Sequence, residues 1–115
     1  MKENIVQKKS FEFAVKIINL YKHLAESKKE FVLSKQMLRS GTSIGANVEE
    51  AIGGQSKKDF VSKFSIAYKE TRETIYWLKL LRETKYIDEK VAKETIGCCD
   101  ELARIIAAIL KSSRL

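Results

Sequence analysis

Residues 36–51 read Gln36-Met37-Leu38-Arg39-Ser40-Gly41-Thr42-Ser43-Ile44-Gly45-Ala46-Asn47-Val48-Glu49-Glu50-Ala51, and their spacing specifies a helix with two unlike faces. At about 100° per residue, Met37, Gly41, Ile44, Val48, Ala51 and Ile52 fall on one arc, while Gln36, Arg39, Ser43, Asn47 and Glu50 fall on the opposite one. Gly41 and Gly45 each cost roughly 1 kcal/mol of helix stability relative to Ala. Two of them, four apart beside the apolar arc, imply close backbone approach by a neighbouring helix. The polar arc is equally specific, because solvation alone does not require an Arg, a Ser, an Asn and a Glu in register.

Outward from this stretch, periodicity and punctuation mark helices over residues 10–27, 34–53, 56–84 and 88–113. In the first, Phe13, Ile17, Leu20, Tyr21 and Leu24 share an arc, and Ser10 reads as its N-cap. Gly53-Gly54 stops the second, and Ser56 with Asp59 three residues on resembles a capping box opening the third. The third helix carries a core arc of Phe60, Phe64, Ala67, Thr71, Thr74, Leu78 and Leu81. At about 1.5 Å per residue it sets a molecular length near 40 Å. The fourth presents Val91, Cys98, Leu102, Ile105, Ile106 and Ile109. The chain of 115 residues contains no proline, in keeping with long helices and short connections. Short loops between long helices predict an all-α, up-down-up-down antiparallel four-helix bundle, forming one domain over residues 1–115.

No apolar run approaches the roughly 20 residues of a membrane span, and the opening residues lack the apolar stretch of a signal peptide, so a cytoplasmic protein without a membrane partner is expected. Cys98 and Cys99 are adjacent and cannot staple distant segments to each other, which predicts two buried, reduced thiols.

Two surface features on the third helix point to partners. Ile66, Trp77 and Leu80 form a second apolar flank interleaved with Glu70 and Glu73. Such a flank either packs between two neighbours in the bundle or forms a subunit interface, since Trp beside Glu and Arg is the composition of an interface anchor. Arg39 is expected to be partly buried and paired with Glu70, Glu73 or Glu50. The net charge of +7 is confined to residues 1–30 and 55–85. Within the second of these, Lys58, Lys69, Arg72, Tyr76 and Lys79 share a face with Ser62 and Ser65. Cations with hydroxyls and an aromatic suit contact with a phosphate backbone; the alternative is a solvated, solubilising stripe. No helix-turn-helix, zinc-finger or RNA-recognition pattern is present, so any binding rests on backbone charge and shape.

Catalytic constellations are not found. The single histidine, His23, lies on a polar face with no Cys or Asp at ligand spacing. A di-iron bundle needs two Glu-x-x-His pairs, and this chain has neither. Glu70 and Glu73 read better as an ion-pair network than as an acid and base. Cys98-Cys99 lacks Cys-x-x-Cys spacing, and no Gly-rich phosphate loop follows Gly53-Gly54. A non-enzymatic protein without metal or cofactor is therefore expected.

The stretch at 36–51, followed by Ser56-Lys57-Lys58-Asp59-Phe60 and by Glu70-Thr71-Arg72-Glu73-Thr74-Ile75-Tyr76-Trp77-Leu78, resembles the four-helix-bundle proteins encoded in intervening sequences of bacterial 23S ribosomal RNA genes. The resemblance spans nearly the whole chain. It extends to the accessory variability proteins of diversity-generating retroelements, which form pentameric rings and associate with a reverse transcriptase and nucleic acid. It implies a homo-oligomer, with a pentamer favoured, and it marks Arg39, Ser43, Asn47, Glu50, Glu70 and Trp77 as structural or interface positions. Two functions follow as expectations. One is a basic homo-oligomer binding nucleic acid, RNA first, through its phosphates; the other is an oligomeric scaffold for a protein partner such as a reverse transcriptase.

Overall fold

Apolar side chains recurring at three- and four-residue spacing carry the chain through four helices, α1 (Lys2–Glu26), α2 (Leu33–Ile52), α3 (Lys57–Glu83) and α4 (Glu89–Ser113). The computed structural model describes residues 2–113, with side chains from residue 5 onward. No strand occurs among the described residues. Contacts between helices fix their directions. Gln7 of α1 bonds Glu49 of α2, Glu50 of α2 meets Lys63 of α3, Cys99 of α4 meets Thr71 of α3, and Lys9 and Lys16 of α1 pair with Glu101 and Glu94 of α4. Every neighbouring pair is thus antiparallel. α2 packs most extensively on α3, and α1 meets α4 only lightly. The principal extents are 44 × 20 × 20 Å, with α3 running the length of the molecule.

The core between the helices is built from Val6, Phe13, Ile17 and Leu24, Met37, Ile44 and Val48, Phe64, Leu78 and Leu81, and Cys99, Leu102 and Ile106, all buried. The glycines of α2 perform the expected service. A Cβ on Gly41 would come within 2.9 Å of Ile17 Cγ2, and one on Gly45 within 3.3 Å of the Ser10 carbonyl oxygen. The backbones of α1 and α2 therefore lie so close that a side chain at Gly41 would require Ile17 to shift, and one at Gly45 would crowd the α1 backbone.

Both ends of the middle helices are chemically closed. Glu30 is buried in the loop before α2, and its carboxylate accepts the backbone N–H groups of Val32, Leu33 and Ser34 at 3.1, 3.0 and 2.7 Å. Ser34 Oγ returns a bond of 2.6 Å to the Glu30 carbonyl. The negative charge sits on the orphan donors at the positive end of the helix dipole. Burial alone would raise the Glu30 carboxyl, but these bonds outweigh it and hold the group below its ordinary range. Ser56 Oγ accepts from Asp59 N at 3.0 Å, which caps α3 as its sequence predicts. After α3, Lys85 takes the left-handed conformation (φ 67°). Tyr86 N then reaches Leu81 O at 2.9 Å and Lys85 N reaches Arg82 O at 3.0 Å, the two bonds of a Schellman motif.

Several expectations are corrected. Ser10 is not a cap: α1 is already helical from Lys2, and Ser10 is a buried interior residue donating to the Gln7 carbonyl at 3.1 Å. Val6 extends the core stripe past it. On α4 the buried face is rotated, with Ala92, Thr95 and Cys99 inside, Cys98 half-buried and Val91 exposed. Leu102, Ile106 and Ile109 are buried as expected, but in the first half of the helix small residues and Thr95, whose hydroxyl is satisfied by the Val91 carbonyl at 2.8 Å, line the seam. Leu20, Tyr21, Phe60 and Ile105 are half-buried rather than central, and Ile52, at the end of α2, is exposed.

Candidate nucleic-acid interface

Lys58, Lys69, Arg72, Tyr76 and Lys79 lie on the outward arc of α3, and each is exposed. The structure gathers only three of them at one place. Arg72, Tyr76 and Lys79 line a groove of about 470 Å³ between α3 and α4. Lys69 lies one turn before Arg72 on the same face. Lys58 stands about 20 Å away at the helix start, from its 14-residue separation from Arg72 at 1.5 Å each. Among the residues whose side chains are described, no carboxylate pairs with Lys58, Lys69, Arg72 or Lys79, whereas Lys9, Lys16, Arg39, Lys63, Arg82 and Arg104 all have one. Lys22, Lys35, Lys90 and Lys93 on the other helices are likewise without a paired carboxylate, so what distinguishes α3 is that four such cations share one arc of a single helix.

The groove has parts the sequence pattern did not reveal. Its far wall is α4, whose Ala103 and Ala107 are too small to fill the seam opposite Tyr68 and Tyr76. Arg104 stands on the rim, bonded to Asp100 at 2.9 Å and otherwise open to solvent. Small side chains carry little periodic signal, and Arg104 is balanced by Asp100 in a charge count, so neither was legible before the helices were paired.

On the opposite flank of α3, Arg39 reaches across from α2. Its guanidinium bonds Glu73 and lies 3.6 Å from Glu70, and Trp77 Nε1 donates to the same Glu73 oxygen at 2.9 Å. The pairing matches the sequence expectation, and the burial is at its lower limit, with the Arg39 side chain 50% exposed. It sits on the outer edge of α2, and only its head reaches the neighbouring helix. Glu50 pairs elsewhere, with Lys63 at 2.8 Å. Burial pushes the Glu70 carboxyl above its ordinary range, with the Arg39 charge lowering it and Glu73 raising it. Ser43 and Asn47 turn inward on their own helix, donating to the Arg39 and Ser43 carbonyls at 2.6 and 2.8 Å. Beneath them, Ser40 and Thr74 share a buried hydroxyl–hydroxyl bond of 2.8 Å between α2 and α3.

The apolar flank on α3 is only partly wet, with Trp77 and Leu80 half-buried and Ile66 exposed. The larger exposed apolar feature lies on α1, where Phe11 (69% exposed), Val15 and Ile18 line the outward face at four- and three-residue spacing. Periodicity had directed attention to the inward arc of that helix. Elsewhere the side chains are quiet. His23 is exposed. Burial, reinforced by Asp100 and Cys98, pushes the Cys99 thiol up to about 12, and its Sγ donates to the Thr71 carbonyl at 3.4 Å. Among the described residues, no three His, Cys, Asp or Glu side chains cluster as metal ligands, and no helix is long and apolar enough to cross a membrane.

Residues 2–108 match the family model described as 23S rRNA-intervening sequence protein. The chain belongs to this family. A similar solved structure is that of a protein of unknown function from the S23 ribosomal protein family of Bacteroides thetaiotaomicron VPI-5482. It is 51% identical, with a TM-score of 0.95, and the alignment covers 96% of this chain and 99% of that one. No curated protein matches the chain. Family membership embraces all four helices, so both the Arg39–Glu73–Trp77 contact and the basic face of α3 lie within the matched span.

Proposed function

We propose that this member of the 23S rRNA-intervening sequence family is a non-enzymatic, cytoplasmic, homo-oligomeric protein that binds nucleic acid, RNA first, through its phosphate backbone. The observation that carries the reading is the set of unpaired cations on the outer face of α3, Lys58, Lys69, Arg72 and Lys79. Such cations release counterions from a polyanion without distinguishing bases. Oligomerisation is supported by the exposed Phe11, Val15 and Ile18 of α1 and by Trp77 beside the half-exposed Arg39. A five-fold ring is favoured by the family resemblance, and repetition of the stripe around it would let individually weak contacts act together.

The test is binding of unrelated RNAs across a salt series, with light scattering to give the assembled mass. Affinity should fall steeply with salt, and Lys69, Arg72 and Lys79 changed together to Glu should abolish binding while leaving the bundle folded. A parent that binds no RNA at low salt, or a triple variant that binds as well as the parent, refutes the reading. A mass equal to one chain of 13.2 kDa refutes the oligomer. The second reading, a scaffold for a protein partner such as a reverse transcriptase, assigns the α1 apolar stripe of Phe11, Val15 and Ile18 to that partner in place of self-association. It takes precedence if the assembly is intact and RNA is not bound.

A further inference from the structure

We propose that the α3–α4 groove is a track for single-stranded nucleic acid, in which Tyr76 is a base-stacking platform and Arg72, Lys79 and Arg104 hold the phosphates on either rim. The inference rests on the nucleic-acid reading above and adds to it the class of strand, the second wall and the stacking residue.

The groove is layered in the way an unpaired strand requires. Its inner lining is apolar, made by Ile75 and Ala103, with exposed Ala107 on the α4 wall and Tyr68 and Tyr76 on the aromatic side. Tyr76 is 56% exposed, yet it is not loose. Its ring meets Trp77 edge-on with centroids 5.2 Å apart and planes at 66°, and Trp77 is itself anchored through Nε1 to Glu73. A large aromatic face that is both open to solvent and fixed in direction is what a base stacks on. The cations stand at the edges, Arg72 and Lys79 on α3 and Arg104 on α4. Asp100 is the one carboxylate among the lining residues, and it is bonded to Arg104 at 2.9 Å. The net positive charge lies on the α3 rim, from Arg72 and Lys79, while on the α4 side Arg104 is held by Asp100 with its guanidinium still open to a phosphate oxygen. The groove continues past Lys79 into a second depression where Lys90 and Lys93 stand with Glu89 and Asp100, and where Arg82 is paired with Glu83, so the seam toward the α3–α4 turn carries mixed charge.

Strand class follows from width. Adjacent packed helices have axes about 8–10 Å apart, so the seam between them admits a row of single bases and not a duplex, whose bases are in any case already stacked on one another. A duplex would meet only the rim cations.

Anisotropy of a labelled oligouridylate and of a labelled RNA duplex of equal length, titrated with the full chain at low salt, tests the assignment. The single strand should bind more tightly. Tyr76→Ala should weaken it about tenfold or more, Tyr76→Phe should restore most of the loss, and neither change should move duplex affinity by more than about twofold. Ala107→Leu, which fills the groove from an exposed position, should also weaken the single strand selectively. Arg104→Ala should lower the salt slope for the single strand by about 0.7. Circular dichroism shows whether each variant is folded. The inference is overturned if Tyr76→Ala and Ala107→Leu, both folded, bind the single strand as the parent does, or if duplex and single strand bind equally and lose equally. Salt-sensitive binding that survives those results leaves the broader reading standing, whereas no binding by the parent removes both.

Discussion

Changing Gly41 to Ala sets helix propensity against packing in one place, and a second glycine supplies the control. Gly41 and Gly97 both lie inside helices, so replacing either by Ala should gain about 1 kcal/mol of helix propensity. At Gly97 an added Cβ meets nothing within 4 Å, and the full gain should appear as a rise in Tm of about 3–6 °C for a domain of this size. At Gly41 the Cβ would sit 2.9 and 3.0 Å from Cγ2 and Cγ1 of Ile17, a branched side chain with no exposed surface and hence no direction in which to retreat. Overpacking of this kind costs about 1–3 kcal/mol, so Gly41→Ala should range from neutral to about 2 kcal/mol destabilising. The difference between the two substitutions isolates the contact. In an Ile17→Ala background, already weakened by about 2–5 kcal/mol, both offending carbons are gone and Gly41→Ala should become stabilising. Urea unfolding at one fixed protein concentration is the assay, because stability of an associating chain depends on concentration. If Gly41→Ala stabilises as much as Gly97→Ala, or if its effect is the same with and without the Ile17 side chain, close approach of α1 does not explain the glycine.

Three further outcomes are expected. Glu30→Gln should cost about 2–3 kcal/mol near pH 7 through weakened charge-assisted bonds; because the folded carboxyl lies below its ordinary 4.5, the native group's contribution is present above that value and lost as pH falls through the folded one, so parent and variant should converge in acid urea titrations. Lys85→Gly should raise the urea midpoint by an amount equivalent to about 1 kcal/mol, since it relieves a left-handed backbone at a position where only glycine is unstrained. Arg39→Ala should cost about 1 kcal/mol or less in the unfolding free energy of one chain, as expected of a half-exposed ion pair; a fall in assembled mass on light scattering beyond that small loss would mark the Arg39–Glu73–Trp77 contact as part of a subunit interface.

The parts of the fold legible from residues alone were those signalled by punctuation and by large side chains. Gly53, Ser56 and Asp59 placed the α2–α3 junction within a residue, and Phe64, Leu78 and Leu81 marked the core face of α3. Gly41 and Gly45 pointed to the helix contact they make. The rest depended on quantities that a sequence displays weakly. Ser10 resembles a cap because its hydroxyl is as able to bond a carbonyl inside a helix as an N–H at its start. On α4, Leu102, Ile106 and Ile109 marked the buried face correctly, but its first half is lined by Ala92, Thr95 and Cys99, which are small and not strongly apolar. Glu30 closes α2 from a loop position outside the usual capping spacing. On the candidate site, the α3 stripe and the partners of Arg39 could be read from helical angle, but the groove wall of Ala103, Ala107 and Arg104 exists only once α4 is laid beside α3.

The light contact between α1 and α4 bears on how the molecule is made. Each helix finds most of its burial against the helix adjacent in the chain, across connections of only a few residues, so nearly all loop closures are short. Such topologies belong to the fast end of two-state folding, from microseconds to milliseconds. Synthesis at about 5–20 residues per second is far slower. As the chain leaves the ribosome, α2 meets a finished α1, α3 meets the α1–α2 pair, and α4 closes the bundle last with little more than Lys9–Glu101 and Lys16–Glu94 to fasten its far edge. Only the part of the core completed by Cys99, Leu102 and Ile106 has to wait for α4, which suits the bundle to folding as it is synthesised, with less of the exposed surface that long-range pairing imposes.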